Sequence, residues 1–301
     1  MKSGFVSFIG RPNAGKSTLL NRLVGEKLAI VSDKPQTTRT RILGVRNYPD
    51  AQVVFLDTPG IHRPLHRMNV RMVDVAVQTI TEVDVLGLVV DVTEPVGRGD
   101  RYVFDLVKNA TAPVFLILNK VDLVKKVKLL PLIDKYSKEG NFAEIIPISA
   151  STGVNVDRLE RALIDRLPEG PALYPEDYLT DQPERVMASE IIREKVLQFT
   201  HAEIPFSSAV VVERFEEPEG PKGLLRLYCS IVVERESQKP IVVGRNGEMI
   251  KRIGTAAREE LERFFATRVF LDLHVRVRTD WREDERVLRE LGVGGPGIGQ
   301  E

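Results

Sequence analysis

The segment GRPNAGKS at 10–17 constrains the fold of this chain more than any other feature. The apolar run 5–9 before it is typical of a buried strand, and 17–24 after it is typical of a helix. In this context two glycines and a lysine at the spacing G-x4-G-K-S predict a phosphate-binding loop, because the glycines let backbone N–H groups turn toward phosphate oxygens. Lys16 is expected to reach the outer phosphates, where it is a candidate catalytic residue, and Ser17 is expected to ligate Mg2+.

The string NKVD, which ends at Asp122, predicts which base is bound. Asp122 can accept from two donors on one edge of guanine, and adenine has no such pair. Asn119 can bond the opposite edge, and Lys120 can lie over the ring. Ser149 and Ala150 follow another apolar stretch and can present a backbone N–H to the guanine oxygen. A site built from these groups rejects adenine, because its own polar groups would stay unpaired.

The string DTPG follows a third apolar run and belongs to the same kind of site. Asp57 would hold Mg2+ through a water, and the Gly60 N–H would contact the terminal phosphate, which makes Gly60 a second candidate catalytic residue. These contacts exist only while the third phosphate is present. The segment 60–72 is therefore expected to change its order when that phosphate is cleaved.

A second segment expected to change order is the polar stretch SDKPQTTRTR at 32–41. Thr38 could coordinate Mg2+ and take part in catalysis. Thr37 is the competing candidate, and spacing alone does not separate the two.

The residue after Gly60 distinguishes this chain from the best-known small GTPases, which place a water-orienting glutamine there. Ile61 occupies the position here and cannot orient water. Either intrinsic turnover is slow, or another group assists, such as a K+ ion near the phosphates. The carbonyl oxygen of Asn13 suits such an ion, although Asn13 could equally brace the loop.

A chain of 301 residues is expected to form two domains. Apolar runs alternate with helical patterns through the first half, which predicts a doubly wound α/β domain at 1–168. The five runs lie near residues 5, 52, 86, 114 and 145. Residues 169–184 are rich in proline and acidic residues and are expected to be a linker. A smaller α+β domain at 185–282 and a tail at 283–301 complete the predicted organisation.

The second domain has the pattern helix, strand, strand, helix, helix, strand. The predicted bounds are a helix at 185–202, strands at 207–215 and 223–236, a short apolar segment at 241–243, a helix at 255–265 and a strand at 269–278. Between the apolar segment and the following helix lies a GxxG string, as in KH domains, where the glycines permit close approach of a single-stranded nucleic-acid backbone. The candidate RNA-binding residues are Gly244, Arg245, Asn246, Gly247, Lys251 and Arg252.

Charge gives mixed support to nucleic-acid binding. Residues 1–168 contain 24 basic and 18 acidic residues, and 169–301 contain 19 and 25, so the second part is net acidic. The segment 239–278, however, contains nine basic and five acidic residues. A local basic surface suffices for a short single-stranded target, and the overall sign argues mainly against promiscuous duplex binding.

The chain contains no apolar run of the length that a membrane-spanning helix needs, and its start lacks a long apolar signal segment. A cytoplasmic location without a transmembrane segment is therefore expected. Cys229 is the only cysteine, which excludes a disulfide framework and favours a small buried apolar residue.

The chain resembles the Era family of bacterial GTPases over essentially its whole length. The resemblance lies in GRPNAGKSTLLN, PQTTRTRI, DTPGIH, NKVDLV, PERVMASEIIREK and IVVGRNGEMIKRIG, of which the last two are the most specific. It implies a type II KH domain that binds the 3′ end of small-subunit ribosomal RNA, a role in maturation and assembly of the small ribosomal subunit, and in some cases a peripheral membrane association. It also assigns phosphate binding to Asn13, Ala14, Gly15, Lys16, Ser17 and Thr18, guanine binding to Asn119, Lys120 and Asp122, and RNA binding to 244–247.

Two hypotheses follow. In the first, the chain is an enzyme switch that holds RNA in the GTP state and releases it on hydrolysis. In the second, it is a nucleotide-gated RNA-binding module whose hydrolysis is incidental and very slow, an alternative that Ile61 keeps open.

Overall fold

The computed structural model describes residues 1–62, 64–220 and 223–293. Their contacts define two compact units, of which the first contains Met1–Val31 and Pro35–Asp181 and the second contains Ser32–Lys34 and Gln182–Gly292. Each unit has its own sheet and its own core. Residues 294–301 of the expected tail lie outside the described residues.

The first unit is built on a six-stranded sheet in the order β2-β3-β1-β4-β5-β6. Its strands are β1 (Lys2–Ile9), β2 (Ile42–Asn47), β3 (Ala51–Asp57), β4 (Val85–Asp91), β5 (Val114–Asn119) and β6 (Glu144–Pro147). All neighbours pair in parallel except β2, which is antiparallel to β3. The prediction of a doubly wound α/β domain is confirmed, and β2 is the strand that the sequence pattern did not indicate.

The α-helices described beside this sheet are α1 (Lys16–Val24), α2 (Arg67–Thr81), α3 (Arg98–Val107), α4 (Leu129–Ser137) and α5 (Val156–Asp165). Helix α1 begins inside the predicted phosphate loop and ends where Gly25 adopts a φ of 88° and donates its N–H to the Asn21 carbonyl. Apolar side chains of α1, α5 and the strands form one core cluster, in which the rings of Phe8 and Phe55 stack.

Residues 169–181, which form most of the expected linker, lie on the first unit. The Leu179 carbonyl accepts from the backbone N–H of Val45 at 2.8 Å, next to the edge of the sheet. Tyr174 and Tyr178 stack with ring centroids 4.8 Å apart and pack against an apolar cluster on β2 and β3. The segment is thus held by specific contacts, which its proline-rich composition did not indicate.

The second unit contains a three-stranded sheet in the order β7-β8-β9. Its elements are α6 (Glu184–Phe199), α7 (Ile204–Ser207), β7 (Ala209–Glu216), β8 (Leu224–Val233), α8 (Lys239–Val243), α9 (Glu248–Phe264), β9 (Arg268–Val277) and α10 (Glu285–Glu290). Strand β8 pairs antiparallel with β7 and parallel with β9. The predicted order of helices and strands is confirmed, with α7 and α10 added and with α9 beginning at Glu248 instead of Thr255.

The core of the second unit lies between one face of this sheet and helices α6, α8 and α9. Cys229 is buried there, and burial raises the pKa of its thiol to about 12, which confirms the prediction of a buried small residue. Trp281 is fully buried and donates its indole N–H to the Ser207 carbonyl at 3.0 Å. None of the helices in the described ranges has the length and apolar character that crossing a membrane requires.

Candidate functional site

The predicted site segments of the first unit lie at the ends of four strands that run in parallel. GRPNAGKS follows β1, DTPG and NKVD begin at the last residues of β3 and β5, and Ser149 and Ala150 lie after β6. The carboxyl ends of parallel strands share one edge of the sheet, where open α/β folds bind their ligands. The topology therefore brings together residues that are up to 140 positions apart in the sequence.

Lys16 lies at the first position of α1 with its ammonium group buried. Its Nζ donates to the carbonyls of Gly10 at 3.3 Å and Arg11 at 3.0 Å, inside the loop that it closes. Burial lowers the pKa of this ammonium, and the nearby Asp57 carboxylate opposes that shift. A cation held this way is suited to an anionic ligand, because phosphate oxygens would replace weak carbonyl contacts with charge-assisted hydrogen bonds.

Three oxygen-bearing side chains converge at the end of β3. The Asp57 Oδ2 accepts from Ser17 Oγ at 2.6 Å and from Thr38 Oγ1 at 3.0 Å, and the two hydroxyls are 2.8 Å apart. Burial raises the pKa of the Asp57 carboxyl, while Lys16 and these hydroxyls oppose that shift. The other carboxylate oxygen, Oδ1, is buried and has no hydrogen-bond partner among the described residues.

The Asn119 side chain connects three loops through hydrogen bonds. Its amide Nδ2 donates to the Ala14 carbonyl at 2.8 Å, and its Oδ1 accepts from the backbone N–H of Ala150 at 2.9 Å. Gly15 must be a glycine for this arrangement, because a Cβ there would lie 2.2 Å from the Asn119 amide nitrogen. Ser149, fully buried, closes the third loop by accepting from the Thr152 N–H.

The two charged residues of NKVD differ in their surroundings. Lys120 adopts a left-handed backbone conformation and forms an ion pair with Asp91 at the end of β4. Burial acts to raise the pKa of Asp91, but hydrogen bonds from Lys120 and Thr93 hold it below its usual value. The Asp122 carboxylate is exposed and forms no hydrogen bond or ion pair within the described residues. It is therefore available to accept from a ligand.

The DTPG segment is fastened to the phosphate loop. A Cβ on Gly60 would lie 2.7 Å from the Pro12 backbone, so only glycine permits this approach. The Ile61 N–H donates to the Gly10 carbonyl at 3.0 Å, and the Ile61 side chain is buried in an apolar cluster. The Ile61 side chain thus packs in the core and does not orient a water.

In the second unit, the GxxG loop joins helix α8 to helix α9. Three of its residues, Gly244, Asn246 and Gly247, have positive φ values of 74°, 52° and 79°. Arg245 and Asn246 are exposed. On α9, Lys251 and Arg252 are also exposed, and the Arg252 guanidinium lies 4.2 Å from the centroid of the Phe199 ring. The loop thus presents backbone and basic groups to solvent from the start of a long helix.

Comparison with known proteins agrees with this arrangement. Residues 5–120 match the family model described as a 50S ribosome-binding GTPase, and residues 203–282 match the KH domain model. GTPase Era of Geobacter metallireducens is 53% identical over 291 residues, which cover 97% of each chain. GTPase Era of Syntrophus aciditrophicus is 54% identical over 97% of this chain and 95% of its own. The chain belongs to the Era family of GTPases.

Two solved Era structures share the fold over nearly the whole chain. One is a variant of Aquifex aeolicus Era bound to GDP and AlF4−, and the other is Era in complex with MgGDPNP and nucleotides 1506–1542 of 16S ribosomal RNA. Each is 42% identical, has a TM-score of 0.93, and covers 97% of this chain and 99% of its own. The recognition of the family from its motifs is confirmed, as are the GTPase and KH folds.

This Era chain also positions its site through residues that the motifs did not indicate. Arg22 on α1 donates to the carbonyls of Ala150 and Ser151, which fixes the loop after β6 from the far end of the phosphate-loop helix. An open cavity of about 620 Å³ lies beside this contact and is lined partly by Thr18 and Lys27. No local pattern could have indicated Arg22, because its partners lie more than 120 residues away.

His62 is a second residue that positions the site through contacts that the sequence did not indicate. Its Nδ1 lies 2.8 Å from the Gly60 carbonyl, and its Nε2 lies 2.8 Å from the Asn69 amide on α2 and 3.4 Å from that of Gln36. One imidazole therefore links the two segments that were predicted to change order. In the sequence His62 was visible as the last residue of the string DTPGIH, but its contacts with Asn69 and Gln36 were not.

Proposed function

We propose that this Era-family chain is a GTP-binding and GTP-hydrolysing switch that binds single-stranded RNA at the 3′ end of small-subunit ribosomal RNA and acts in maturation of the small subunit. The observation that carries the proposal is the convergence of Lys16, Asp57 and the NKVD residues at one sheet edge, in a chain that also bears an exposed GxxG loop. The Era complex with MgGDPNP and a 16S ribosomal RNA fragment supports both ligands.

The residues around Asp57 fit a magnesium ion. Mg2+ prefers oxygen ligands, and the site offers two hydroxyls and a buried carboxylate oxygen that lacks a partner among the described residues. We assign Ser17, Thr38 and Asp57 to this role, with Thr38 preferred to Thr37 because its hydroxyl contacts Asp57. When bound, Mg2+ would offset negative charge on the phosphates.

The remaining groups are assigned from their geometry. Lys16 stabilises negative charge on the outer phosphates, helped by the backbone N–H groups of residues 13–18 and of Gly60. Asp122 accepts from guanine, Lys120 covers the ring, and Asn119 braces the phosphate loop and the loop after β6. Water attacks the terminal phosphorus and GDP leaves, but Ile61 is buried and orients nothing. Slow intrinsic turnover follows.

We propose that K+ supplies part of the missing assistance through Asn13. Asn13 lies inside the phosphate loop with a φ of 63°, a backbone conformation that asparagine adopts more readily than most residues. GTP turnover should be faster in K+ than in Na+, and Asn13→Ala should remove most of that difference while GTP still binds. Steady-state phosphate release in the two salts measures this. An unchanged K+ response in the variant would exclude Asn13.

RNA should stimulate GTP hydrolysis if nucleotide state and RNA binding are coupled. The test adds a single-stranded oligonucleotide of about ten nucleotides from the 3′ end of 16S ribosomal RNA, a length within the usual range of single-strand sites. We expect a several-fold rise in phosphate release and none with a scrambled oligonucleotide. Identical rates would instead favour the nucleotide-gated binding module with incidental hydrolysis.

We further propose a cytoplasmic location with a fraction in peripheral contact with the membrane. The exposed segment 123–130 supports this, because large apolar side chains and lysines are exposed side by side, a combination that binds anionic lipid surfaces. The exposed fractions of Leu123, Val127 and Leu130 are 68%, 77% and 75%. The exposed lysines are Lys125, Lys126 and Lys128.

Vesicles that contain phosphatidylglycerol should co-float with the wild-type protein at low salt. Replacing Val127 and Leu130 with Ser should reduce this binding about tenfold or more, because each buried apolar side chain contributes about 1.5–3 kcal/mol. The same change at the exposed Val77 is the matched control. Equal flotation of all three proteins would remove this segment as the contact.

A further inference from the structure

The sheet of the second unit has a solvent face that none of the assignments above uses. Side chains alternate along β8, so that Leu225, Leu227 and Cys229 enter the core while Arg226 and Tyr228 point away from it. On β9, Val269 is buried and Phe270 is exposed. Because the GxxG loop and its helices pack on the core side, this solvent face lies opposite the expected RNA groove.

Aromatic rings and guanidinium planes form a continuous strip across this face. The rings of Tyr228 and Phe270 are 5.9 Å apart, with an angle of 60° between their planes. The Arg214 guanidinium lies 5.5 Å from the centre of the Tyr228 ring, and the Arg226 guanidinium lies 5.9 Å from that of Phe270. Phe270 is 41% exposed, although its ring is among the largest apolar groups of the unit.

Among the described residues, one guanidinium on this face forms no ion pair, although the register places Glu216 opposite it. Glu216 pairs with Arg214, Glu213 pairs with Arg276, and Asp272 lies beside His274. The acidic groups are thus occupied by their neighbours on the sheet. Arg226 forms no ion pair within the described ranges and is exposed next to Phe270. A ligand that combines a planar ring with a negative charge complements this pair.

We infer that this aromatic–arginine face, formed by Arg214, Arg226, Tyr228 and Phe270, is a second RNA-binding surface that stacks unpaired bases. Exposed aromatics on adjacent strands are how sheet-based RNA modules hold bases, and arginine planes add stacking and phosphate contacts. A protein partner fits less well, because the cores of such interfaces are depleted in charged residues and this strip is half arginine. The inference rests on the proposed RNA function and extends it from one groove to two faces of the same unit.

Photocrosslinking of the wild-type protein tests the inference directly. The probe is full-length 16S ribosomal RNA transcribed with 4-thiouridine, and cross-linked tryptic peptides identify the face that each contact uses. Peptides 227–235 and 269–276 contain Tyr228 and Phe270, whereas 246–251 comes from the GxxG loop. We expect cross-links in all three. Cross-links confined to 246–251 would overturn the inference and leave the proposed function in place.

Affinity measurements distinguish the loss of base stacking from a loss of folding. Phe270→Ala should weaken binding of the long RNA about tenfold, as expected for loss of one stacked base, and Phe270→Trp should retain it. Both variants should bind the ten-nucleotide 3′-end oligonucleotide as wild type does. Phe264→Ala, at another exposed phenylalanine of this unit, is the matched control and should change neither affinity.

Two other outcomes have distinct meanings. Wild-type affinity of Phe270→Ala for the naked RNA, combined with weaker binding to assembled small subunits, would show that a ribosomal protein occupies this face and would overturn the inference. Failure of the wild-type protein to bind even the short oligonucleotide would instead remove the proposed RNA function on which the inference depends.

Discussion

Asp122→Asn should lower the affinity for GTP by about 10⁴-fold or more and shift the preference to a xanthine nucleotide. Asp122 is expected to accept two hydrogen bonds from N–H groups of guanine. The amide NH2 of an asparagine would face one of these N–H groups, so that one of the two hydrogen bonds could not form. A site whose buried polar groups stay unpaired with the wrong ligand prefers the right ligand by a factor of about 10⁴–10⁵. Xanthine carries a carbonyl where guanine carries its amino group, so the amide donor of the variant finds an acceptor there.

The structure makes this substitution a clean test. The Asp122 side chain is exposed and makes no contact with a polar partner within the described part of the chain, so its replacement should cost little stability. Asp134→Asn, at an exposed aspartate on α4, changes the charge equally and should leave GTP affinity unchanged. Calorimetric titration with GTP, XTP and ATP distinguishes the outcomes. Retained preference for GTP in the Asp122 variant would mean that another group selects the base.

The fold was predictable where local pattern and packing agree. The five buried parallel strands are continuous apolar runs, and each was indicated by its sequence. Strand β2 was not, and only the structure shows that it pairs antiparallel with β3. Helix α4 was also missed, since only Tyr136 along it is buried and a run of lysines precedes it.

Helix α9 shows how tertiary packing overrides a local signal. The sequence pattern placed its start at Thr255, directly after Gly254, and glycine in a helix interior costs about 1 kcal/mol. In the structure the helix begins at Glu248 and continues through Gly254. Ile253, Ala257 and Leu261 are buried against the sheet, and this burial outweighs the cost of the glycine.

The same distinction between local pattern and tertiary packing applies to the candidate site. Lys16, Asp57, Asn119 and Asp122 were predicted because each lies in a short string with a physical reason for its spacing. Asp91, which holds Lys120, lies in no such string, and Arg22 contacts a loop 128 residues away. The residues proposed to bind the ligands were therefore visible in the sequence, whereas those that hold them in place required the fold.

Gly247→Asp should reduce RNA affinity by about a hundredfold or more while GTP affinity stays nearly unchanged. Gly247 has a φ of 79°, and a Cβ built there would meet nothing within 4 Å, so the new side chain would project into open space at the loop. An added carboxylate near a phosphate backbone is repelled, by about 4 kcal/mol for two unit charges 4 Å apart at an effective dielectric constant of 20. Fluorescence anisotropy with the ten-nucleotide oligonucleotide and a parallel GTP titration measure both affinities.

Gly247→Asn separates charge from shape in this prediction. Asparagine has nearly the same size as aspartate, and both tolerate the left-handed backbone conformation better than other side chains. If repulsion of the RNA backbone dominates, the asparagine variant should lose far less affinity than the aspartate variant, and only the latter should improve markedly as salt is raised. Equal losses in both would assign the effect to bulk at a loop that the backbone approaches closely. Wild-type binding by both would place the RNA elsewhere, because a nucleic acid that contacts this loop would be repelled by a carboxylate at its last residue.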